Sequence, residues 1–158
     1  MTKDELRQYM FTRIPLSEAM GVDIVAAAAE SVVLSAPLAP NVNHQGTVFG
    51  GSASAVALLS AWALLHLRLT REQLDTGIVV KKYTMTYDRP MPTDFTATTT
   101  IDDAEVWSVF LHALRRRGRA RISAVATLRC NGVQTGKLQG EFVALTRGWH
   151  PLTGPGQT

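Results

Sequence analysis

The sequence predicts an α+β fold in which a curved antiparallel sheet wraps a long central helix. Three observations predict it. Residues 49–67, FGGSASAVALLSAWALLHL, contain no Asp, Glu, Lys or Arg, so a helix there has no polar face to turn to water and needs cover on most sides. Two short strand-like runs precede that segment and a series of alternating or Thr-rich runs follows it. The small residues Gly51, Ser52, Ala53, Ala55 and Ala57 would let a sheet approach the helix closely, which gives a layered arrangement of sheet over helix.

In chain order, residues 3–12 read as a short helix, and residues 16–20 add a turn with Ser17 placed to cap it. Residues 22–28 and 31–36 read as strands joined near Glu30, the second ended by Pro37 and Pro40, which donate no ladder hydrogen bond. A polar loop, 41–49, leads into an apolar helix over 50–69 that is buried all round. Residues 78–87 alternate, with Val79, Tyr83, Met85 and Tyr87 on one side. Arg89, Pro90, Met91 and Pro92 break this run, and residues 95–101 are rich in Thr, a strand former. Asp102 and Asp103 are placed to cap a helix running to residue 114, with Val106, Phe110 and Leu114 on its inner stripe. Residues 121–130 put Ile122, Ala124, Ala126 and Leu128 on one face, and Asn131-Gly132 signals a hairpin into a partner strand over 133–146. Residues 1–147 read as one domain, and 148–158, GWHPLTGPGQT, as a flexible tail.

Composition narrows the function classes. With 158 residues, 46% of them hydrophobic, the chain can bury a core without disulfides or metal. Its single cysteine, Cys130, and a start without an apolar run point to the reducing cytoplasm. The central segment is long enough to span a bilayer, but its Gly, Ser and Ala content and His66 favour a protein core over a membrane. Net charge is only +3, yet Arg115, Arg116, Arg117, Arg119 and Arg121 fall within seven residues. Such a patch attracts phosphate or an acidic partner; without interleaved aromatic residues it does not read as a nucleic-acid site. His44, His66, His112 and His150 have no metal-ligand spacing, so no metal is expected. No His–Asp pair accompanies the helix serines, which argues against a serine nucleophile.

Asn43-His44-Gln45-Gly46-Thr47-Val48-Phe49-Gly50-Gly51 resembles the loop that opens the central helix of hot-dog thioesterases, where the pattern is Asn, two residues, Gly, two residues, then His-Gly-Gly. Tyr87 to Asp94, YDRPMPTD, resembles the strand end that follows the helix in those proteins. The chain is more similar still to the YiiD-type putative thioesterase domain. That similarity rests on Ile14-Pro15-Leu16-Ser17, on the run SAPLAPNVN from Ser35 to Asn43, and on Phe49-Gly50-Gly51-Ser52. The resemblance implies a hot-dog fold, a homodimer or higher homo-oligomer, and a thioester substrate carried by coenzyme A or by the phosphopantetheine of an acyl carrier protein, with no separate cofactor. The family also includes malonyl-acyl-carrier-protein decarboxylases of the MadB type. In those, the second Asn of the Pro-Asn-x-Asn run is catalytic; here it is Asn43.

The chemistry of these residues points the same way. A thioester oxygen that gains charge needs donors aimed at it. A helix N-terminus opened by Gly50 and Gly51 offers free amides and a favourable dipole, and the Asn43 side chain could add another donor. His44, Thr47, Phe49 and Ser52 are the expected substrate contacts from the same loop and helix start. Arg115, Arg116 and Arg117 are expected to meet the carrier or its phosphates, or else to form a solvated loop. Hydrolysis also needs an activated water. In common hot-dog thioesterases the carboxylate and His that supply it fall where this chain has Leu58 and Phe49. The remaining base candidates are His44, Asp88 and His66, with Asp88 expected to pair with Arg89 and His66 to sit in a core or groove. Decarboxylation of a malonyl thioester needs an enolate stabilised but no base, and an apolar pocket favours it. The expected activity is therefore malonyl-acyl-carrier-protein decarboxylation, with acyl thioesterase or a non-catalytic acyl-thioester binder as alternatives.

Overall fold

The computed structural model describes residues 1–146; the tail predicted over 148–158 lies outside the described residues. The elements are α1 (Lys3–Arg13), α2 (Pro15–Ala19), β1 (Asp23–Ala27), β2 (Ser31–Ala36), α3 (Gly50–Arg71), β3 (Thr76–Tyr87), β4 (Phe95–Thr100), α4 (Ala104–Arg117), β5 (Arg119–Cys130) and β6 (Val133–Thr146), with a 3-10 turn at Ala39–Asn41. One six-stranded antiparallel sheet runs in the order β1-β2-β4-β5-β6-β3 and curves around α3, the arrangement of a hot-dog fold.

The core forms where α3 meets the sheet. Leu64, Leu67, Ala57 and Ala61 from the helix pack with Leu34, Ala97, Ala126 and Leu138 from the strands, all fully buried. Burying each such side chain contributes on the order of 1.5–3 kcal/mol for the larger ones. Inside this apolar contact, the hydroxyls of Ser60 on α3 and Thr99 on β4 hydrogen-bond at 2.7 Å. Ser60 also reaches the Ala57 carbonyl at 2.9 Å. This pair fixes the rotation of the helix on the sheet, because the Thr99 hydroxyl would otherwise be buried without a side-chain partner. Although α3 is long and apolar enough to cross a membrane, twelve of its residues are buried against its own protein.

Four expectations change. The helix is not covered all round: Gly51 is exposed, and Ala55, Leu58, Trp62 and His66, spaced to share one face, are only partly buried. In β3 the expected face is broken by a bulge between Val80 and Lys82. The bulge reverses the alternation, so Ile78 and Val80, paired with Ala144 and Phe142, share the inner face with Tyr83, Met85 and Tyr87, while Val79 faces out opposite Val143. In α4 the buried stripe is Trp107, Phe110, Leu111 and Leu114, and Val106 stays 46% exposed. The guanidinium of Arg68 at the end of α3 lies 3.9 Å from the Trp107 ring centroid, which turns that face of α4 inward. Finally, Ser17 does not cap α2: its hydroxyl donates to the Ile14 carbonyl at 2.7 Å, and no side chain caps that helix.

Candidate active site

The loop before α3 is built by two asparagines with different tasks. Asn41 is buried; its side-chain Nδ2 donates to the carbonyls of Met20 (2.8 Å) and Pro37 (2.7 Å), and its backbone carbonyl accepts from the Phe49 amide at 2.7 Å. This ties both ends of the loop to the body of the protein. Asn43 organises the interior of the loop. Its Oδ1 accepts from the amides of Gln45 (2.8 Å) and Thr47 (3.2 Å), and its Nδ2 donates to Thr47 Oγ1 at 3.0 Å. A further contact from Nδ2 to the Val48 carbonyl is long, 3.5 Å, so this donor is weakly committed. The loop can turn because Gly46 takes φ +78°, with open space where a side chain would stand.

The first turn of α3 has no side-chain cap; the first helical amide bond runs from Ala53 to Phe49. The end of β3 closes over it, with the Tyr87 hydroxyl donating to the Gly50 carbonyl at 2.7 Å. A Cβ on Gly50 would lie 3.4 Å from the Tyr87 ring, an ordinary van der Waals contact, so this approach does not require glycine. Gly51 instead makes room for the Phe49 ring: a Cβ would meet it at 2.3 Å. The resulting cavity, about 320 Å³, is lined by Asn43, Thr47, Gly50, Tyr87, Asp88 and Arg89, with Val48, Ala53, Pro90 and Met91 completing it.

The structure therefore brings Asn43, Thr47 and Gly50 together, with Gly51 and the partly buried Ser52 in the same first helical turn. His44 is exposed and does not line the cavity. Phe49 is 55% exposed and packs on Gly51 outside the cavity. The expected Asp88–Arg89 ion pair does not form among the described residues; the amides of both residues donate to the Thr135 carbonyl (2.9 and 3.2 Å), and both line the cavity. Tyr87 is a site residue that a strand-by-strand reading does not single out, and Asp88, a base candidate expected in an ion pair, lines the cavity instead. Their signal was the sequence YDRP at the end of β3, the strand that returns along α3.

Arg115, Arg116 and Arg117 form the last turn of α4 rather than a loop. Arg115 pairs with Glu72 at 2.8 Å, just past the far end of α3. A helix from Gly50 to Arg71 is about 30 Å long, so these arginines are not at the Asn43 cavity of their own chain. His66 lies in a second, apolar groove on the open face of α3, and burial pushes its pKa below 6.5.

A family model described as a putative thioesterase of the YiiD C-terminal type matches residues 3–146. Among solved structures, a protein of unknown function from Chlorobaculum tepidum is 27% identical, with a TM-score of 0.87 over 91% of this chain and 94% of that one. A putative thioesterase from Shewanella oneidensis is 26% identical, with a TM-score of 0.81 over 90% and 96% of the two chains. A thioesterase from Haemophilus influenzae shares the fold at 15% identity, with a TM-score of 0.75 over 96% and 95%.

Proposed function

The chain belongs to the putative thioesterase family of YiiD C-terminal domains, and from that premise we propose that it hydrolyses an acyl thioester at the mouth of α3. One observation carries this reading: a carboxylate, Asp88, lines the same cavity as Asn43 and the uncapped end of the helix. Asp88 takes a proton from water as the water attacks the thioester carbonyl. The oxygen that becomes negative is held by free amides of the first helical turn and by the weakly committed N–H of Asn43. Collapse of the intermediate expels the thiolate, which leaves protonated as free carrier thiol beside a carboxylic acid. Asp88 does the work that the helix carboxylate and the loop His do in common hot-dog thioesterases, whose positions hold Leu58 and Phe49 here.

A second reading, decarboxylation of a malonyl thioester, is favoured by one feature: residues 49–67, which cover about the first five turns of α3, contain no Asp, Glu, Lys or Arg. Loss of CO₂ leaves an enolate, which the same donors hold, and a proton then gives the acetyl thioester. Mass spectrometry of acyl- and malonyl-carrier protein separates the two. With the native protein, free thiol marks hydrolysis and loss of CO₂ marks decarboxylation. Asp88→Asn should abolish hydrolysis but leave decarboxylation intact. Asn43→Ala should lower either activity by roughly 10²–10³-fold, the usual cost of one oxyanion donor. Hydrolysis that survives Asp88→Asn would refute the assigned base.

The carrier is proposed to be acyl carrier protein or coenzyme A, met by Arg116 and Arg117, which carry no ion pair among the described residues. Because these arginines lie a helix length from the cavity of their own chain, they would serve the cavity of a second copy. β3 supplies the pairing edge: it is the last strand of the sheet and exposes Val79, Val80, Tyr83 and Tyr87 by 42–53%. A long apolar free edge of this kind invites strand pairing.

A further inference from the structure

The hydrogen-bond ladder of α3 starts with the Ala53 amide on the Phe49 carbonyl at 3.0 Å. The amides of Gly50, Gly51 and Ser52 therefore have no partner within the helix, and no side chain caps them. Gly50 and Gly51 also lack any side chain that would hold the peptide between them. One group from outside the helix does hold it: the Tyr87 hydroxyl donates to the Gly50 carbonyl at 2.7 Å, across 37 positions of sequence. Burial does not put the tyrosine there, since 53% of it is exposed. The strand end puts it there. Tyr87 pairs with Gly136 on β6, and the next two amides, of Asp88 and Arg89, donate to the Thr135 carbonyl at 2.9 and 3.2 Å. Gly50 and Tyr87 both line the cavity of Asn43 and Asp88, and Gly51, next in the chain, is exposed.

We propose that Tyr87 is a positioning residue for the reaction at this cavity, acting through the Gly50–Gly51 peptide on the Gly51 amide. A peptide is planar, so a bond that fixes its carbonyl also fixes its N–H, which points the other way. A carbonyl that accepts a hydrogen bond also polarises its own peptide, and the N–H on the far side becomes a better donor. The Tyr87 hydroxyl thus orients and strengthens one of the free amides at the mouth of α3. Its single proton is committed to Gly50, so Tyr87 is not an acid toward the substrate. This role rests on the reading above, in which amides of the first turn hold the negative oxygen. It does not require Asp88, because an enolate would draw on the same amide.

Tyr87→Phe in the full chain is the test; it keeps the half-exposed ring and removes only the donor, so the fold should persist. With octanoyl-acyl carrier protein as substrate, kcat should fall about tenfold, less than the 10²–10³-fold that outright loss of an oxyanion donor costs. KM should stay within about twofold, because an interaction made in the transition state alone leaves ground-state binding untouched. A second measurement needs no substrate. In NMR spectra of glycine-labelled protein, the Gly50 carbonyl carbon should move upfield in the variant and the Gly51 amide should shift with it. A hydroxyl that merely fastened strand to helix would lower the melting temperature and leave kcat alone, and that outcome overturns the proposal. Unmoved Gly50 and Gly51 resonances, or a rise in KM as large as the expected fall in kcat, would overturn it too. Failure of the hydrolysis reading looks different: the native protein would release no thiol, and the glycine resonances would then decide the role of Tyr87 by themselves.

Discussion

At the scale of single residues, the site depends on places where no side chain fits. Gly136 is the clearest. It pairs with Tyr87 on β3 and Leu128 on β5, and a Cβ there would stand 2.7 Å from the Thr86 carbonyl oxygen. Backbone cannot swing aside as a side chain can. Gly136→Ala should therefore destabilise the protein by about 1–3 kcal/mol, and it should lower activity as well, because the strand end it displaces carries Tyr87 and Asp88. Thermal melting and thiol release would check the two effects; an unchanged melting point would mean the strands separate more easily than the packing implies. His66 gives a pH-linked test. Burial disfavours its charged form, so its folded pKa lies below 6.5 while the unfolded value is near 6.5. The unfolded chain then binds more protons, and stability is present above about pH 6.5 and is lost as pH falls through the folded value. His66→Phe should flatten this acid-side loss in urea titrations taken between neutral pH and about pH 5.

At the scale of elements, the well-signposted ends were legible in the sequence. Asp103 accepts from the amides of Glu105 and Val106 at 2.9 and 3.0 Å, the cap expected from its position. Asn131 and Gly132 both adopt positive φ, 51° and 75°, as a two-residue hairpin turn demands. Asp103→Ala should cost about 1 kcal/mol, readable from the midpoint of denaturation; α4 also carries Trp107 and the arginines, so its first turn should fray measurably by hydrogen exchange. The inner stripe of α4 was not legible, because what turns Trp107 inward is Arg68, a contact from another helix. β3 hid its pattern for a related reason: a bulge adds one residue, and periodicity carries no mark of where.

At the scale of the whole molecule, the wrapping of the helix followed from its uncharged sequence, and Asn43 and Gly50 meet as the loop pattern implied. Two features needed the tertiary structure. The return of β3 along α3 delivers Asp88 to the loop, and the free face of α3 opens the apolar groove at His66. The exposed β3 edge also makes self-association a measurable expectation. Tyr83→Lys, which places a charge on that edge, should shift the protein toward monomer by sedimentation velocity and reduce turnover if the arginines of one copy serve the cavity of another. A dimer that persists with unaltered affinity would move the interface elsewhere.

The irregularity in β3 between Val80 and Lys82 has an evolutionary corollary. A homologue lacking one amino acid there would have to turn half of this strand inside out. Either the aliphatic pair flanking the groove, or the tyrosines leading to the carboxylate, would swap sides with their neighbours. Single-residue length changes in this short stretch should therefore be scarcer among working relatives than substitutions are, since one deletion would rewrite two cavity-lining surfaces at once.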